Sequence, residues 1–350
     1  MNKTPFVSVL MPVRNEALFI ERSLGAALAQ DYPLDRMEVI IADGLSTDGT
    51  REIIARVQNE HLTVFVKVVD NPRQIVSTGM NAAFAHARGE VIIRIDGHTV
   101  VDGNYVSECV NALHKSGAEN AGGAMHAIAE NIFGSAVSAA TSSRFGVGGA
   151  RFHYSDREEW VDTVYLGAWP RDVFRRIGVF DEEMVHNQDD ELNYRLRGAG
   201  GRIFLCPRIK SCYYNRATVR LLWKQYLQYG HWKVRVMQKH PRQMQPRQFV
   251  PALFVFALVL LLITAPFLLV SKLVLAVTLL AYAVFSFAAS ISAARKTDWR
   301  LLPLLPMAFT VIHFAYGSGF LLGLARFWNR WRDHGTRASQ SPWLHDAGTT

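Results

Sequence analysis

Three apolar stretches constrain this chain most: residues 249–270, 273–294 and 301–325 run without a single Asp, Glu, Lys or Arg. Crossing a bilayer takes about 20 apolar residues, whereas a long helix buried in a soluble protein normally keeps a polar face. The stretches therefore predict a membrane region over 249–325, and everything before it has to fold outside the hydrocarbon. Lys233, Arg235, Lys239, Arg242 and Arg247 stand immediately before the first stretch, where anionic headgroups attract cations. The net charge of +8 on 350 residues thus reads as membrane-surface basicity, with membrane lipids as partners. No RNA-binding signature or basic stripe marks the first half, so nucleic acid is not an expected partner.

The flanks refine this division. Residues 216–248 interleave aromatics and cations, among them Trp223, Lys224, Tyr226, Tyr229, Trp232 and Lys233, as amphipathic interfacial helices do. Residues 326–350 form a basic tail. Only Ser271 and Lys272 separate the first two stretches, which reads as a tight outside turn, and Arg295, Lys296 and Arg300 then fit the inner side. A third full crossing would put Arg326, Arg330, Arg332 and Arg337 outside, against the positive-inside tendency. A re-entrant third segment, broken at Pro303, Pro306, Gly317, Gly319 and Gly323, avoids that conflict where protein shields the backbone; both topologies stay open. The chain starts without a signal-peptide pattern, so residues 1–215 are expected on the cytoplasmic side of an inner membrane. Three cysteines with no CxxC spacing predict neither a disulfide framework nor a zinc site.

The first 215 residues alternate strand-like and helix-like segments. Residues 6–11 form an apolar run broken by Pro12, residues 16–30 carry helical periodicity, and residues 38–42 form a second strand ending at Asp43. Helices follow over 50–59 and 77–87, strands over 64–69 and 91–95, the last ending at Asp96. This alternation predicts a mostly parallel, Rossmann-like α/β sheet with Asp43 and Asp96 along its carboxyl edge, where open α/β folds bind ligands. Residues 121–150, rich in Gly, Ala and Ser, read as a strand plus a mobile loop. Helices over 174–177 and 191–197 and a strand over 203–205, stopped by Pro207, complete the domain.

The chemistry-bearing groups are strand-end motifs. Pro12-Val13-Arg14-Asn15-Glu16 and Asp43-Gly44-Leu45-Ser46-Thr47-Asp48-Gly49-Thr50 follow the first two strands. A carboxylate at a strand end can accept hydrogen bonds from a base imide or ribose hydroxyls, and glycine lets backbone approach the ligand. Arg73, in Asn71-Pro72-Arg73-Gln74, could offer a fixed fork to a phosphate. Asp96-Gly97-His98 spaces two potential ligands one residue apart, able to bracket a divalent ion that neutralises a departing diphosphate. Gln188-Asp189-Asp190-Glu191 offers a carboxylate that could take the proton of an attacking hydroxyl, although an acidic helix start explains Asp190 and Glu191 equally well.

Taken together, in this order and spacing, with Asn81 ahead of Arg88-Gly89-Glu90, these motifs resemble the family 2 glycosyltransferases with the GT-A fold. The resemblance covers about residues 1–215 and, with the membrane tail, the chain looks like the succinoglycan-type exopolysaccharide glucosyltransferases that extend lipid-linked sugars. It implies a UDP-sugar donor framed by Pro12, Arg14, Glu16, Asp43, Arg73, Asn81 and Asp96. It implies a divalent metal on Asp96 and His98, and Asp189 as the base of an inverting displacement. His98 stands where the family usually has a second aspartate, and imidazole shifts the expected ion from Mg2+ toward Mn2+. Gln188 replaces the usual glutamate beside the base, and Trp169 joins it on the acceptor side. Gln228-Tyr229-Gly230-His231-Trp232 resembles the Gln-x-x-Arg-Trp motif of processive synthases, which places Gln228, His231 and Trp232 near acceptor or diphosphate. With His231 in the arginine position and too few spans for a polymer tunnel, a single addition to a polyprenyl-diphosphate-linked acceptor is expected. A polyprenyl-phosphate sugar synthase and a non-catalytic nucleotide-sugar-binding membrane subunit are the alternatives.

Overall fold

A computed structural model describes residues 4–61, 63–129, 131–215 and 218–332; Arg337 and the tail beyond Arg332 lie outside the described residues. Nine strands form one sheet: β1 Val7–Val13, β2 Met37–Asp43, β3 Phe65–Asp70, β4 Val91–Arg94, β5 Thr99–Val101, β6 Asn120–Ile128, β7 Glu159–Val161, β8 Tyr165–Pro170 and β9 Ile203–Tyr214. The helices are α1 Ile20–Leu28, α2 Thr50–Glu60, α3 Val76–His86, α4 Tyr105–Ser116, α5 Ile132–Thr141, α6 Arg144–Val147, α7 Arg171–Ile177, α8 Gln188–Gly198, α9 Val219–Lys239, α10 Val250–Thr264, α11 Leu269–Lys296 and α12 Leu305–Arg326. The chain divides into two units. One comprises residues up to His126 with Tyr154–Tyr213; the other comprises Ala127–His153 with α9 to α12.

The first unit carries the predicted α/β sheet, while residues 127–153, expected within the same 1–215 domain, fall in the second unit. The strands of the sheet run in the order β3-β2-β1-β4-β8-β6-β9-β5, with β7 beside β9; β3, β2, β1 and β4 are mutually parallel and β8 is antiparallel to β4. Every residue of β1 and β2 is buried, as expected of parallel strands covered on both faces. Each fully buried Val, Ile, Leu or Met there contributes about 1.5–3 kcal/mol. The register pairs Val13 with Asp43 and Asp43 with Asp70, so the first three strands end level.

Two prolines do not act as the strand breakers they resemble. β1 runs through Pro12 because its pairing with β4 ends at Leu10, so the missing N–H of Pro12 lies past that ladder. β9 runs through Pro207 because that position falls between Ile203–Leu205, which pair β7, and Ser211–Tyr213, which pair β5. The first helix begins at Ile20, four residues later than the periodicity predicts, since residues 16–19 form a turn closed by Phe19 and Ile20 N–H bonds to the Glu16 carbonyl.

The second unit corrects the reading of 121–150. Beyond β6 the chain is helical: the Asn131 side chain caps α5 by accepting from Gly134 N at 2.8 Å. Ala136, Val137 and Ala140 then pack against Phe309 and Ile312 of α12 and Ala293 of α11. Small residues on several faces blur the helical period, which is why the segment resembles a loop in sequence. α10 and α11 form an antiparallel pair, with Thr264 Oγ1 donating to Ser271 Oγ at 2.9 Å across the turn and Phe254 stacked on Tyr282 at 5.0 Å. The stretch Pro246–Thr264, α11 and α12 are each long and apolar enough to cross a membrane. The protein is membrane-associated through them.

Candidate active site

At the carboxyl edge of the first unit two loops are laced together. Asn15 adopts a left-handed conformation, φ 54°, after β1. Its N–H donates to Ser46 Oγ at 2.9 Å, and its Oδ1 accepts from Thr47 N at 2.9 Å. Glu16 N donates to Thr50 Oγ1 at 2.8 Å and Ala17 N to Asp48 Oδ2 at 3.1 Å. Pro12 is buried and Arg14 is exposed, its side chain lying over Gly44, where a Cβ would sit 3.1 Å from the arginine stem. Asp43 is fully buried at the base of this lacing. It accepts from Ser46 Oγ at 2.5 Å and from Arg51 Nε at 2.5 Å, while Arg51 also pairs with Asp70. The Asp43 carboxylate therefore shapes the Gly44–Asp48 turn, a constraint absent from the motif itself.

Beside these loops stands a charge cluster. Arg94, the last residue of β4, directs Nε and an outer guanidinium nitrogen to the two oxygens of Asp96 at 2.7 and 3.0 Å. Burial works to lower the Arg94 pKa, but Asp96 and, beyond it, the charge of Asp189 outweigh burial and hold the guanidinium protonated. One buried cation thus contacts Asp96 and feels the charge of Asp189, the two carboxylates that the motifs single out. Tyr165 closes this cluster: burial and the nearby Asp96 charge push its phenol well up, so it stays neutral and hydrogen-bonds Thr99 at 2.9 Å. His98 Nδ1 meets Glu16 Oε1 at 2.9 Å, with the ring edge against Tyr213. Asp189 occupies the first turn of α8, half-buried, where the positive end of the helix favours a carboxylate; its Oδ1 accepts from Asp190 N at 2.9 Å. Gln188 precedes it, buried. Glu191 turns away to pair with Arg195 at 2.7 Å, and Arg195 donates to the Ile177 and Val179 carbonyls, which fixes α8 in place.

Gly97 has a specific steric role here. A Cβ on it would lie 2.9 Å from Val13 Cγ1 and 3.1 Å from Glu16 Cγ, so only glycine lets the Asp96–His98 turn approach the first loop. Gly97→Ala is expected to separate the Glu16–His98 pair and to cost about 1–3 kcal/mol. A thermal melt unchanged by the substitution would contradict the crowding.

Three expected contact residues are used elsewhere. Asn81 is fully buried on α3, donating to the Phe180 carbonyl at 2.9 Å and accepting from Phe180 N at 3.0 Å, with Glu182 as a further acceptor at 2.9 Å. With both ends of its amide occupied, it positions the 180–182 segment instead of touching a donor sugar. Arg73 pairs with the same Glu182, so its fork is engaged by a carboxylate. Trp169 is 1% exposed, packed edge-on against Phe174 and Phe180, and cannot meet an acceptor. Its Nε1 has no hydrogen-bond partner among the described residues.

Gln228, His231 and Trp232 belong to the second unit, on α9, where the His231 and Trp232 rings pack against Phe327 at 5.0 and 5.7 Å. Burial lowers the His231 pKa and the nearby Arg326 lowers it further. This residue is therefore neutral at pH 7, and the folded state resists its protonation. Because the folded pKa lies below the unfolded one, His231 supports the fold above about pH 6.5 and opposes it as pH falls. The acid-side loss of melting temperature between pH 7 and pH 5 is expected to shrink in His231→Gln.

Among the described residues, no three His, Cys, Asp or Glu side chains converge as a protein-only metal cage. The fit of a divalent ion rests on donor chemistry. Small hard cations are commonly held by one or two carboxylates plus substrate phosphates, and Asp96, with His98 two residues on, can supply that limited set. Arg94 is the group that motif reading misses. A basic residue two positions before a strand-end aspartate, inside an otherwise apolar strand, is the signal that could have marked it.

Comparison with known proteins agrees with this architecture. The family described as "Glycosyl transferase family 2" matches residues 8–166. The chain is 34% identical over 234 residues to the "Succinoglycan biosynthesis protein ExoA" of Rhizobium meliloti (strain 1021), covering 66% of this chain and 70% of that one. It is 27% identical over 240 residues to a dolichyl N-acetyl-alpha-D-glucosaminyl phosphate 3-beta-D-2,3-diacetamido-2,3-dideoxy-beta-D-glucuronosyltransferase of Methanococcus voltae, covering 67% and 74%. Among solved structures, the mannosyltransferase PcManGT from Pyrobaculum calidifontis, in complex with GDP-Man and Mn2+, superposes with a TM-score of 0.56 at 20% identity over 94% of this chain and 88% of that one, a likeness of fold. The strand-end motifs, the GT-A sheet and these relatives lead to one conclusion: the chain is an enzyme that belongs to glycosyltransferase family 2.

Proposed function

We propose that the protein is an inverting hexosyltransferase moving one sugar from a UDP-sugar to a hydroxyl of a polyprenyl-diphosphate-linked acceptor. The setting is exopolysaccharide or cell-surface glycan synthesis at the inner membrane, with the catalytic domain facing the cytoplasm. The observation that carries the reading is Asp189, half-buried in the first turn of α8, where its carboxylate stands at the positive end of the helix. A sugar hydroxyl is a poor nucleophile until a positioned base takes its proton in the transition state. Asp189 accepts that proton as the acceptor oxygen bonds to the anomeric carbon, and the bond from that carbon to the nucleoside diphosphate breaks on the opposite face. Attack on the face away from the departing diphosphate inverts the configuration.

Pro12, Arg14, Glu16 and Asp43 frame the nucleoside, with Asp43 acting through the turn it anchors, and Arg73 faces the phosphates once Glu182 releases it. Gln188 adjoins the acceptor beside the base. A bound divalent ion, Mn2+ in preference to Mg2+, would be held by Asp96 and His98 and would neutralise the departing diphosphate. The ExoA relative supports an exopolysaccharide setting, and the name of the archaeal relative, a transferase onto a dolichyl-linked sugar, supports a lipid-linked acceptor. The test is to incubate purified protein with a panel of UDP- and GDP-sugars and membrane lipid extract, with Mn2+, Mg2+ or EDTA. Transfer from one UDP-sugar into the lipid fraction, lost in EDTA and restored best by Mn2+, is expected. Turnover unaffected by EDTA would remove the metal role of Asp96 and His98, and transfer only onto a lipid monophosphate would favour a polyprenyl-phosphate sugar synthase.

A further inference from the structure

The three apolar helices are unequal. In their most apolar windows 17% of the Pro246–Thr264 stretch and 11% of α11 are buried, against 50% of α12. Such burial means that protein covers half of that α12 window, and its neighbours show at what level. Its first half, including Leu305, Ala308 and Phe309, packs with Ala293 and Ala294 at the end of α11 and with Leu222 near the start of α9. At its middle, His313 Nδ1 lies 3.1 Å from the Tyr282 hydroxyl, and a Cβ on Gly317 would be 2.4 Å from the Pro251 carbonyl, at the first turn of α10. Its last turns pack with Val234, Met237 and Ala252. Beyond its end the Phe327 carbonyl accepts from Gln238 Nε2 at 2.8 Å.

A helix crossing the bilayer from the inner end of α11 would finish beside the outer turn between α10 and α11. α12 instead finishes beside Gln238, in the segment that leads into α10, so both of its ends share one side. The outer turn is exposed, with Phe267 at 82% and Leu269 at 71%. Lengths agree with this arrangement. α11, at 28 residues, is about 42 Å long against a hydrocarbon core of about 30 Å, which leaves its Ala293–Ala294 end protruding where α12 begins.

The partner of α12 points the same way. α9 runs along it at backbone contact: a Cβ on Gly230 would lie 2.0 Å from the Tyr316 carbonyl, and one on Gly319 2.0 Å from the Leu227 carbonyl. α9 carries exposed Arg220 and Lys224 and half-buried Lys239, besides Lys233 and Arg235, which are buried in protein, and each Lys or Arg facing lipid at mid-bilayer costs about 2.5–3.5 kcal/mol. A helix so charged cannot accompany a spanning segment through lipid. Trp299, Trp328 and Trp331 are exposed around the ends of α12, beside Arg300, Arg326 and Arg330, the composition of a headgroup belt.

We infer that α12 does not span the membrane: α10 and α11 form the only crossing among the described residues, and the α9–α12 pair lies at the cytoplasmic headgroup layer beneath it, which keeps Arg326, Arg330 and Arg332 on the cytoplasmic side. This rests on the membrane reading above and also removes the positive-inside conflict of a third crossing. Single cysteines test it in the full chain expressed in a bacterial inner membrane. Cys109 and Cys206 are buried and stay, while Cys212 is replaced by serine. Arg56→Cys marks the catalytic unit, Lys272→Cys the outer turn and Arg332→Cys the end of the described chain. With a membrane-impermeant maleimide, Arg332→Cys is expected to label with Arg56→Cys in inside-out vesicles, and Lys272→Cys in intact spheroplasts. Labelling of Arg332→Cys together with Lys272→Cys in spheroplasts would overturn the inference. Labelling of Lys272→Cys in inside-out vesicles would instead overturn the membrane reading itself. Should Arg332→Cys resist labelling, alkaline phosphatase fused after Arg332 decides: an inactive fusion supports the inference, and an active one refutes it.

Discussion

Asp189→Asn will retain UDP-sugar binding and lose about 10²–10⁴-fold in turnover, the usual contribution of a positioned general base. The substitution keeps the shape of the side chain and its acceptor oxygen toward Asp190 N, at 2.9 Å in the wild type, so the first turn of α8 should survive. It removes the charge, and with it the ability to take a proton. It also removes one of the two carboxylates that attract Arg94 but leaves the Arg94–Asp96 contacts at 2.7 and 3.0 Å, so the melting temperature should move little. Binding measured by calorimetry with UDP-sugar, beside turnover with the lipid acceptor, separates the hypotheses. Unchanged turnover would make Asp189 a structural helix start. Binding without measurable turnover in the wild type as well would favour a non-catalytic nucleotide-sugar-binding subunit. A polyprenyl-phosphate acceptor, already ionised, needs little base assistance, so complete loss of transfer also argues against that alternative.

What sequence shows and hides follows from the range of the forces involved. Asp43 and Asp96 are legible at the carboxyl edge because alternating apolar strands and glycine turns are local signals, and the register that aligns Asp43 with Val13 confirms that edge. The roles of the side chains are set by distant partners. Asn81 sits in a motif suited to a donor site, yet its direction is decided by Phe180, ninety-nine residues away. Arg88-Gly89 likewise serves the fold: Arg88 N and Nε bond the buried Glu38 at 2.7 and 2.9 Å, and Gly89 N bonds Ser8 Oγ at 2.7 Å. α5 was hidden because alanine, glycine and serine carry almost no periodicity. α12 was only half legible, since hydropathy reports an apolar helix and cannot distinguish lipid from protein as its surroundings.

Arg94→Met should cost about 3–5 kcal/mol of stability, the usual result of removing one member of a buried ion pair. The arginine side chain is only 7% exposed and that of Asp96 13%, so water screens the remaining carboxylate poorly. With the cation gone, the Asp96 charge is left without its partner in a poorly solvated position, and Tyr165, neutral beside it, offers no compensation. The double variant Arg94→Met/Asp96→Asn separates stability from chemistry. Replacing both partners of a buried pair by uncharged groups is often near neutral for folding, so the double variant should regain most of the lost melting temperature. Activity should not return with it, because Asp96 is the carboxylate proposed to hold the divalent ion. Recovery of both stability and transfer would show that the pair serves only the fold. A single variant as stable as the wild type would mean that solvent, and not Arg94, balances Asp96.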